Sequence, residues 1–253
     1  MKIGLVGLGY WGKNIARNLS ELGVLSAICD SNINTLSSYK KIYKNVQIYE
    51  KIEDLVNSEV DAIFIATPAA THKEIIEISL YKDKNVFVEK PLCLDVTEGI
   101  YLKKLANERG LKLMVGHLLL YHPAFIALKN FLNAGGLGNL RYIYSNRLSL
   151  GKLRKEENAL WSFAPHDISM ILSLIEREPI HIEASGGYYL TDDVADTTMT
   201  NLTFQNGIKA HVFVSWLHPF KDQKLVVVGE KAMATFEDIE SGEKKLLLYN
   251  HDI

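Results

Sequence analysis

Ile3-Gly4-Leu5-Val6-Gly7-Leu8-Gly9-Tyr10-Trp11-Gly12 opens the chain, and Val24-Leu25-Ser26-Ala27-Ile28-Cys29-Asp30 follows it. The first run is apolar and enters a turn with the spacing G-x-G-x-x-G. Ile15, Ala16, Leu19 and Leu22 then recur on one helical face. A second apolar run ends in an acid. Strand, glycine turn, helix, strand and acid, in that order, predict a βαβ unit that binds a dinucleotide. Gly7 permits the tight turn. Gly9 lets backbone approach a pyrophosphate, and Gly12 lets the helix pack closely on the sheet. Tyr10 and Trp11 lie in the same phosphate turn, at the positive end of the helix. Asp30 stands eighteen residues after Gly12, where a carboxylate accepts from the adenosine ribose. It would repel a 2′-phosphate, and Ser31, Asn32, Ile33 and Asn34 supply no arginine to hold one. NAD is therefore expected over NADP.

Outward from this unit, the alternation continues. Apolar runs at 46–49, 60–66, 85–91 and 113–115 alternate with helical patterns at 33–44, 53–56, 70–82 and 95–109. Buried strands alternating with helices predict a doubly wound parallel sheet over residues 1–117, the NAD-binding Rossmann domain. After residue 117 the pattern changes. Helices are expected at 123–134 and 160–176. Strands are expected at 140–150, 180–190, 196–205, 208–217, 223–229, 232–237 and 244–249, with a hairpin turn at Asn206-Gly207. Residues 118–253 therefore read as an α+β domain with an open, mostly antiparallel sheet, expected to bind substrate and to oligomerise through its uncovered face.

A chain of 253 residues suits two domains. A net charge of −2 gives no footprint for nucleic acid. No segment reads as a signal peptide or membrane span, and the widely spaced Cys29 and Cys93 fit a reduced, cytoplasmic setting. No His, Cys, Asp and Glu spacing fits a catalytic zinc, so no metal is expected.

Ligands of doubly wound sheets bind outside the carboxyl ends of the strands. Thr67-Pro68, with His72 beyond, Glu89-Lys90-Pro91 and Gly116-His117 fall there. Glu89-Lys90 is either a surface salt bridge or a functional pair, in which Lys90 acts as donor or base to a substrate hydroxyl. Pro165-His166-Asp167, at or near a helix start, brings an imidazole with the intrinsic basicity for general base work. Alone, a histidine at a helix start is more often a cap or a packed side chain. His117 and His122 either line a cleft or pack. Arg147, Lys152, Arg154 and Lys155 flank a loop before Trp161, which is either solvated or a site for a phosphorylated substrate.

Gly7-Leu-Gly-Tyr-Trp-Gly12, Asp30, Ala66-Thr-Pro-Ala-Ala-Thr-His72, Glu89-Lys-Pro91 and Pro165-His-Asp167 together resemble the Gfo/Idh/MocA family of NAD(P)-dependent oxidoreductases. Gly116-His117-Leu-Leu-Leu-Tyr121-His122-Pro123 and Trp161-Ser-Phe-Ala-Pro-His166 look like its sugar-nucleotide branch, which includes the UDP-N-acetylglucosamine 3-dehydrogenases. The resemblance implies a homo-oligomer that oxidises a ring hydroxyl, at C3, of a UDP-N-acetylhexosamine. It implies NAD held by Gly7 to Gly12, Asp30, Thr67, Pro68, His72 and Glu89-Lys90-Pro91. Lys90 and His166 would be catalytic, and His117, Tyr121, Arg147, Arg154 and Trp161 would bind substrate. The expected alternatives are a dehydrogenase of a free sugar or inositol, and a non-enzymatic dinucleotide-sensing regulator. Many members carry an aspartate four residues before the histidine, where this chain has Ser162. Members also usually run further, so either the sequence is truncated or the last sheet elements and a closing segment are missing.

Overall fold

A computed structural model describes residues 1–150, 157–190 and 192–251. The chain divides into two compact units, Met1–Gly116 and His117–Ile253.

The first unit alternates β1 (Ile3–Val6), α1 (Gly12–Glu21), β2 (Leu25–Cys29), α2 (Ile33–Ile42), β3 (Gln47–Tyr49), α3 (Ile52–Val56), β4 (Ala62–Ile65), α4 (His72–Tyr81), β5 (Asn85–Val88), α5 (Val96–Glu108) and β6 (Leu113–Val115). All six strands are parallel, in the order β3-β2-β1-β4-β5-β6. Their apolar side chains fill the core: Leu5, Ile28, Ile63 and Ile65 are fully buried. Local chemistry sets several boundaries. Asn32 caps α2 by accepting from the Asn34 and Thr35 amides, and Asp95 caps α5 through Thr97 and Glu98. Gly110, at φ +66°, turns the chain out of α5. The strand order reverses between β1 and β4, which opens a crevice at their carboxyl ends.

The second unit holds α6 (Pro123–Asn133), β7 (Leu140–Leu150), α7 (Ala159–Ile175), β8 (His181–Gly187), β9 (Thr197–Thr203), β10 (Lys209–Ser215), β11 (Leu217–Gly229), β12 (Ala232–Glu237) and β13 (Leu246–Asn250). They form one sheet, β13-β12-β11-β7-β10-β9-β8, antiparallel except where β10 meets β7. Phe125 and Leu128 of α6 and Met170, Ile171 and Leu174 of α7 pack on Ile143, Val212, Val214, Val227 and Phe236 of the sheet. The other face leaves Tyr142, Met199 and Tyr249 exposed. The hairpin at Asn206-Gly207 is present, with both residues at positive φ.

Two elements depart from the sequence reading. β11 begins at Leu217 rather than 223, because the strand crosses His218 and Pro219 on a bulge: Leu217 pairs with Leu150, and the ladder resumes at Asp222 opposite Leu148. Pro165-His166 is not near a helix start. Asn158 caps α7, its Oδ1 accepting from the Trp161 amide at 3.1 Å, and Pro165 falls inside the helix. The proline cannot donate back along the helix, yet the helix continues. Ala164, Asp167, Met170, Ile171 and Leu174 of one stripe are buried on both sides of it.

Asp167 anchors that stripe. It is fully buried, and its carboxylate accepts from Arg147 Nε and from Ser145 Oγ, each at 2.5 Å. Burial opposes the charge on Arg147, but Asp167 and Asp238 outweigh it and hold its pKa above the ordinary value. Asp167→Ala leaves a buried guanidinium without its main partner and should destabilise the protein by about 3–5 kcal/mol in urea unfolding. Ser145→Ala should cost about 1 kcal/mol. A loss under about 1 kcal/mol for Asp167→Ala would contradict this anchoring.

Candidate active site

The glycine turn joins β1 to α1 at the crevice mouth. Gly7 has φ +87°, and a Cβ there would stand 2.7 Å from the Ala66 backbone. A Cβ on Gly12 would stand 2.0 Å from the Gly7 carbonyl oxygen. Neither position accepts a side chain. Gly9 differs, since a Cβ there would meet no atom within 4 Å. Its open side is where a ligand's phosphates can approach the backbone, and no side chain caps α1.

A crevice of about 500 Å³ runs beside this turn, with Gly9, Asp30, Glu50, Thr67 and Pro68 among its walls. Asp30 follows β2. Its Oδ2 accepts from the Leu8 amide at 2.7 Å and its Oδ1 from the Asn32 amide at 2.9 Å. Each oxygen keeps a lone pair for a ribose hydroxyl. The same carboxylate thus shapes the turn and lines the crevice. Cys29 also lines the crevice; burial first, and Asp30 next, push its thiol up to about 12, so it stays protonated. Sequence reasoning missed Glu50. Cys29 pairs with Tyr49, so Asp30 and Glu50 follow adjacent strands side by side. The signal was legible: an acid directly after the third strand. Together they place two carboxylates on one wall of the crevice, which would repel a 2′-phosphate there. Asp30→Asn should weaken NAD binding about tenfold and narrow the NAD-to-NADP affinity ratio, and adding Glu50→Gln should narrow it further. An unchanged ratio in the double variant, measured by calorimetry, would contradict this.

Beyond β4 and β5 lie Thr67-Pro68 and Glu89-Lys90-Pro91. Glu89 Oε1 accepts from the Trp11 indole N–H at 2.6 Å, tying the strand end to the glycine turn. Gly116 abuts it: a Cβ there would lie 3.2 Å from each Glu89 carboxylate oxygen. Burial pushes the Glu89 carboxyl above its ordinary value, opposed by the Trp11 bond and by Lys90. A raised folded-state value means stability is lost as pH rises through it. Glu89→Gln, which keeps an acceptor for Trp11, should therefore raise the melting temperature at pH 8 and leave it unchanged below pH 4.5, Glu's ordinary value. A gain of equal size at both pH values would refute this assignment. Lys90 is half-buried.

His72 was expected to touch the cofactor. It is buried instead, with Nδ1 2.7 Å from the Pro91 oxygen and Nε2 3.0 Å from the Thr67 oxygen, so both ring nitrogens face backbone.

Within the second unit, His166 and Trp161 are half-buried on α7, His117 is half-buried, and Tyr121 is exposed. Ser162, four residues before His166, is buried. His122 caps α6, its Nδ1 accepting from the Ala124 amide at 3.1 Å. Arg147 does not flank a loop. It lies buried in β7, engaged by Asp167 and Asp238, and presents no guanidinium for a phosphate. Arg154, with Lys152 and Lys155, lies outside the described residues. A larger cavity of about 630 Å³, lined in part by Arg141, Asn201 and His211, holds none of these candidates. Among the described residues, no group of three His, Cys, Asp or Glu is placed to hold a metal, and no helix is long and apolar enough to cross a membrane.

A parallel sheet with a glycine turn at its switch point, an acid after the second strand and a separate open-sheet unit define a Rossmann-type dinucleotide-binding protein. Residues 1–117 match the oxidoreductase family GFO_IDH_MocA, NAD-binding Rossmann fold, and residues 125–235 match the GFO/IDH/MocA C-terminal domain. The chain belongs to the Gfo/Idh/MocA family and is an NAD-binding oxidoreductase. It is similar to UDP-N-acetylglucosamine 3-dehydrogenase of Acidithiobacillus ferrooxidans, at 29% identity over 85% of this chain and 67% of that one. The solved structure of that enzyme superposes with a TM-score of 0.88, over 99% of this chain and 80% of that one. A structure from Magnetospirillum magnetotacticum is 30% identical, covering 100% of this chain and 81% of that one, with a TM-score of 0.86. Inositol 2-dehydrogenase of Rhizobium meliloti is 24% identical over 78% of this chain and 61% of that protein.

Proposed function

We propose that this protein oxidises a ring hydroxyl, at C3, of a UDP-N-acetylhexosamine to a ketone. The observation that carries this reading is its similarity to UDP-N-acetylglucosamine 3-dehydrogenase over 85% of the chain. The residues fit the cofactor: the open side of Gly9 takes the pyrophosphate, Asp30 the adenosine ribose, and Thr67-Pro68 the nicotinamide end. NAD, when bound, accepts the hydride from the sugar carbon. The chain's own residues handle the proton. The Lys90 ammonium donates a hydrogen bond to the reacting hydroxyl and orients it, and His166 takes the hydroxyl proton as general base. With Ser162 in place of the family's acid, His166 works without a carboxylate four residues before it. His117, Tyr121 and Trp161 line the sugar site. The exposed sheet face with Tyr142, Met199 and Tyr249 joins copies of the chain into an oligomer.

The inositol dehydrogenases among the similar proteins favour a second reading, in which the substrate is a free polyol. The two separate in one experiment, which follows NADH absorbance with UDP-N-acetylglucosamine, N-acetylglucosamine and myo-inositol. The nucleotide sugar should exceed the others at least about tenfold in kcat/KM. A preference for myo-inositol supports the polyol reading, and no NADH with any of them contradicts both. Lys90→Met should lower turnover about 100-fold or more and leave NAD affinity nearly unchanged. Retained turnover would remove Lys90 from the mechanism.

A further inference from the structure

We propose that His72 is a positioning residue: its buried ring ties the turn after β4 to the turn after β5 and so holds Lys90 in place. The ladder between these strands ends at Ile65 and Val88, with the Glu89 amide donating to the Ile65 carbonyl at 2.9 Å. Past that point the two segments carry Thr67-Pro68 and Lys90-Pro91. His72, the first residue of α4, reaches both. Nδ1 lies 2.7 Å from the Pro91 oxygen and Nε2 3.0 Å from the Thr67 oxygen. Whichever ring nitrogen carries a proton, a backbone carbonyl is there to accept it.

Capping does not account for this residue. Thr71 occupies the N-cap position of α4, and its hydroxyl bonds the Pro68 carbonyl at 2.8 Å. The imidazole of His72 instead faces two carbonyls on two segments, at 1% exposure. A neutral ring donates to one of these carbonyls; a hydrophobic ring would fill the same space and leave that oxygen without its donor, which is costly for buried backbone.

The consequence falls on Lys90. On one side, Glu89 is bonded to the Trp11 indole at 2.6 Å. On the other, the carbonyl of Pro91 is bonded to His72. With its proton on Nδ1, His72 donates to Pro91 while its own backbone follows the Thr67-Pro68 turn, so Lys90 is bracketed by two anchored neighbours. A side chain on a tethered turn keeps its reach, and small displacements of such groups are costly in rate.

This inference rests on the proposed roles of Thr67-Pro68 and Lys90, and its test reads binding as well as turnover. ADP-ribose shares the adenosine and pyrophosphate of NAD and lacks the nicotinamide. His72→Phe should bind ADP-ribose within about twofold of the parent protein. It should bind NAD about fivefold or more weaker, and kcat should fall about tenfold or more. His72→Asn, whose amide can still reach the Pro91 carbonyl, should recover most of the loss. If the Phe variant does not fold, His72→Gln, which can reach Thr67 and releases Pro91, carries the same comparison. Equal weakening of NAD and ADP-ribose would reduce His72 to a general structural role and overturn the proposal, as would no change in either. Lys90→Met with normal turnover sinks the functional reading, whereas the split between NAD and ADP-ribose is read without turnover.

Discussion

A carbonyl oxygen stands where a side chain of residue 12 would have to be, 2.0 Å from its Cβ position. That contact fixes how closely α1 meets the end of β1, and the candidate site is built outward from it. The helix start can lie this close only because Gly12 has no side chain, and the chain can turn there only because Gly7 takes a positive φ. Asp30 then clamps the turn from β2 through the Leu8 amide, and Trp11 reaches across to Glu89 at the end of β5. Three strand ends are thereby indexed to one glycine turn. His72 extends the same framework to the turn after β4.

Much of this was legible because its causes are local. The glycine spacing, the apolar strands and the acid after β2 lie within thirty residues, and each reports a backbone or packing requirement at its own position. The Asn206-Gly207 turn was readable for the same reason. Legibility failed where the cause is distant in sequence. Arg147 looked like part of a basic loop because the residues after it are basic. Its real partners are Asp167 and Asp238, which only the pairing of β7 with α7 and β11 with β12 brings near. His72 was readable as a strand-end histidine, but its second acceptor, Pro91, lies on another strand's turn. Pro165 signalled a helix start by local rules. The burial of Asp167 and its neighbours overrode that signal.

The two units carry different kinds of evidence about substrate. The glycine turn is defined by backbone geometry at Gly7 and Gly12, which says little about what is oxidised. In the second unit, Arg147 is buried against Asp167 and Asp238 and serves the fold. The chain is similar to both a sugar-nucleotide and an inositol dehydrogenase, as one fold hosts different substrates.

The central claim is that the open side of Gly9 is the pyrophosphate site. Gly9→Ala tests it most directly, because the added Cβ meets no protein atom within 4 Å and can clash only with a ligand. The account predicts an unchanged melting temperature and NAD affinity lowered about tenfold or more, measured by isothermal titration. An alanine variant that binds NAD as tightly as the parent protein would contradict it.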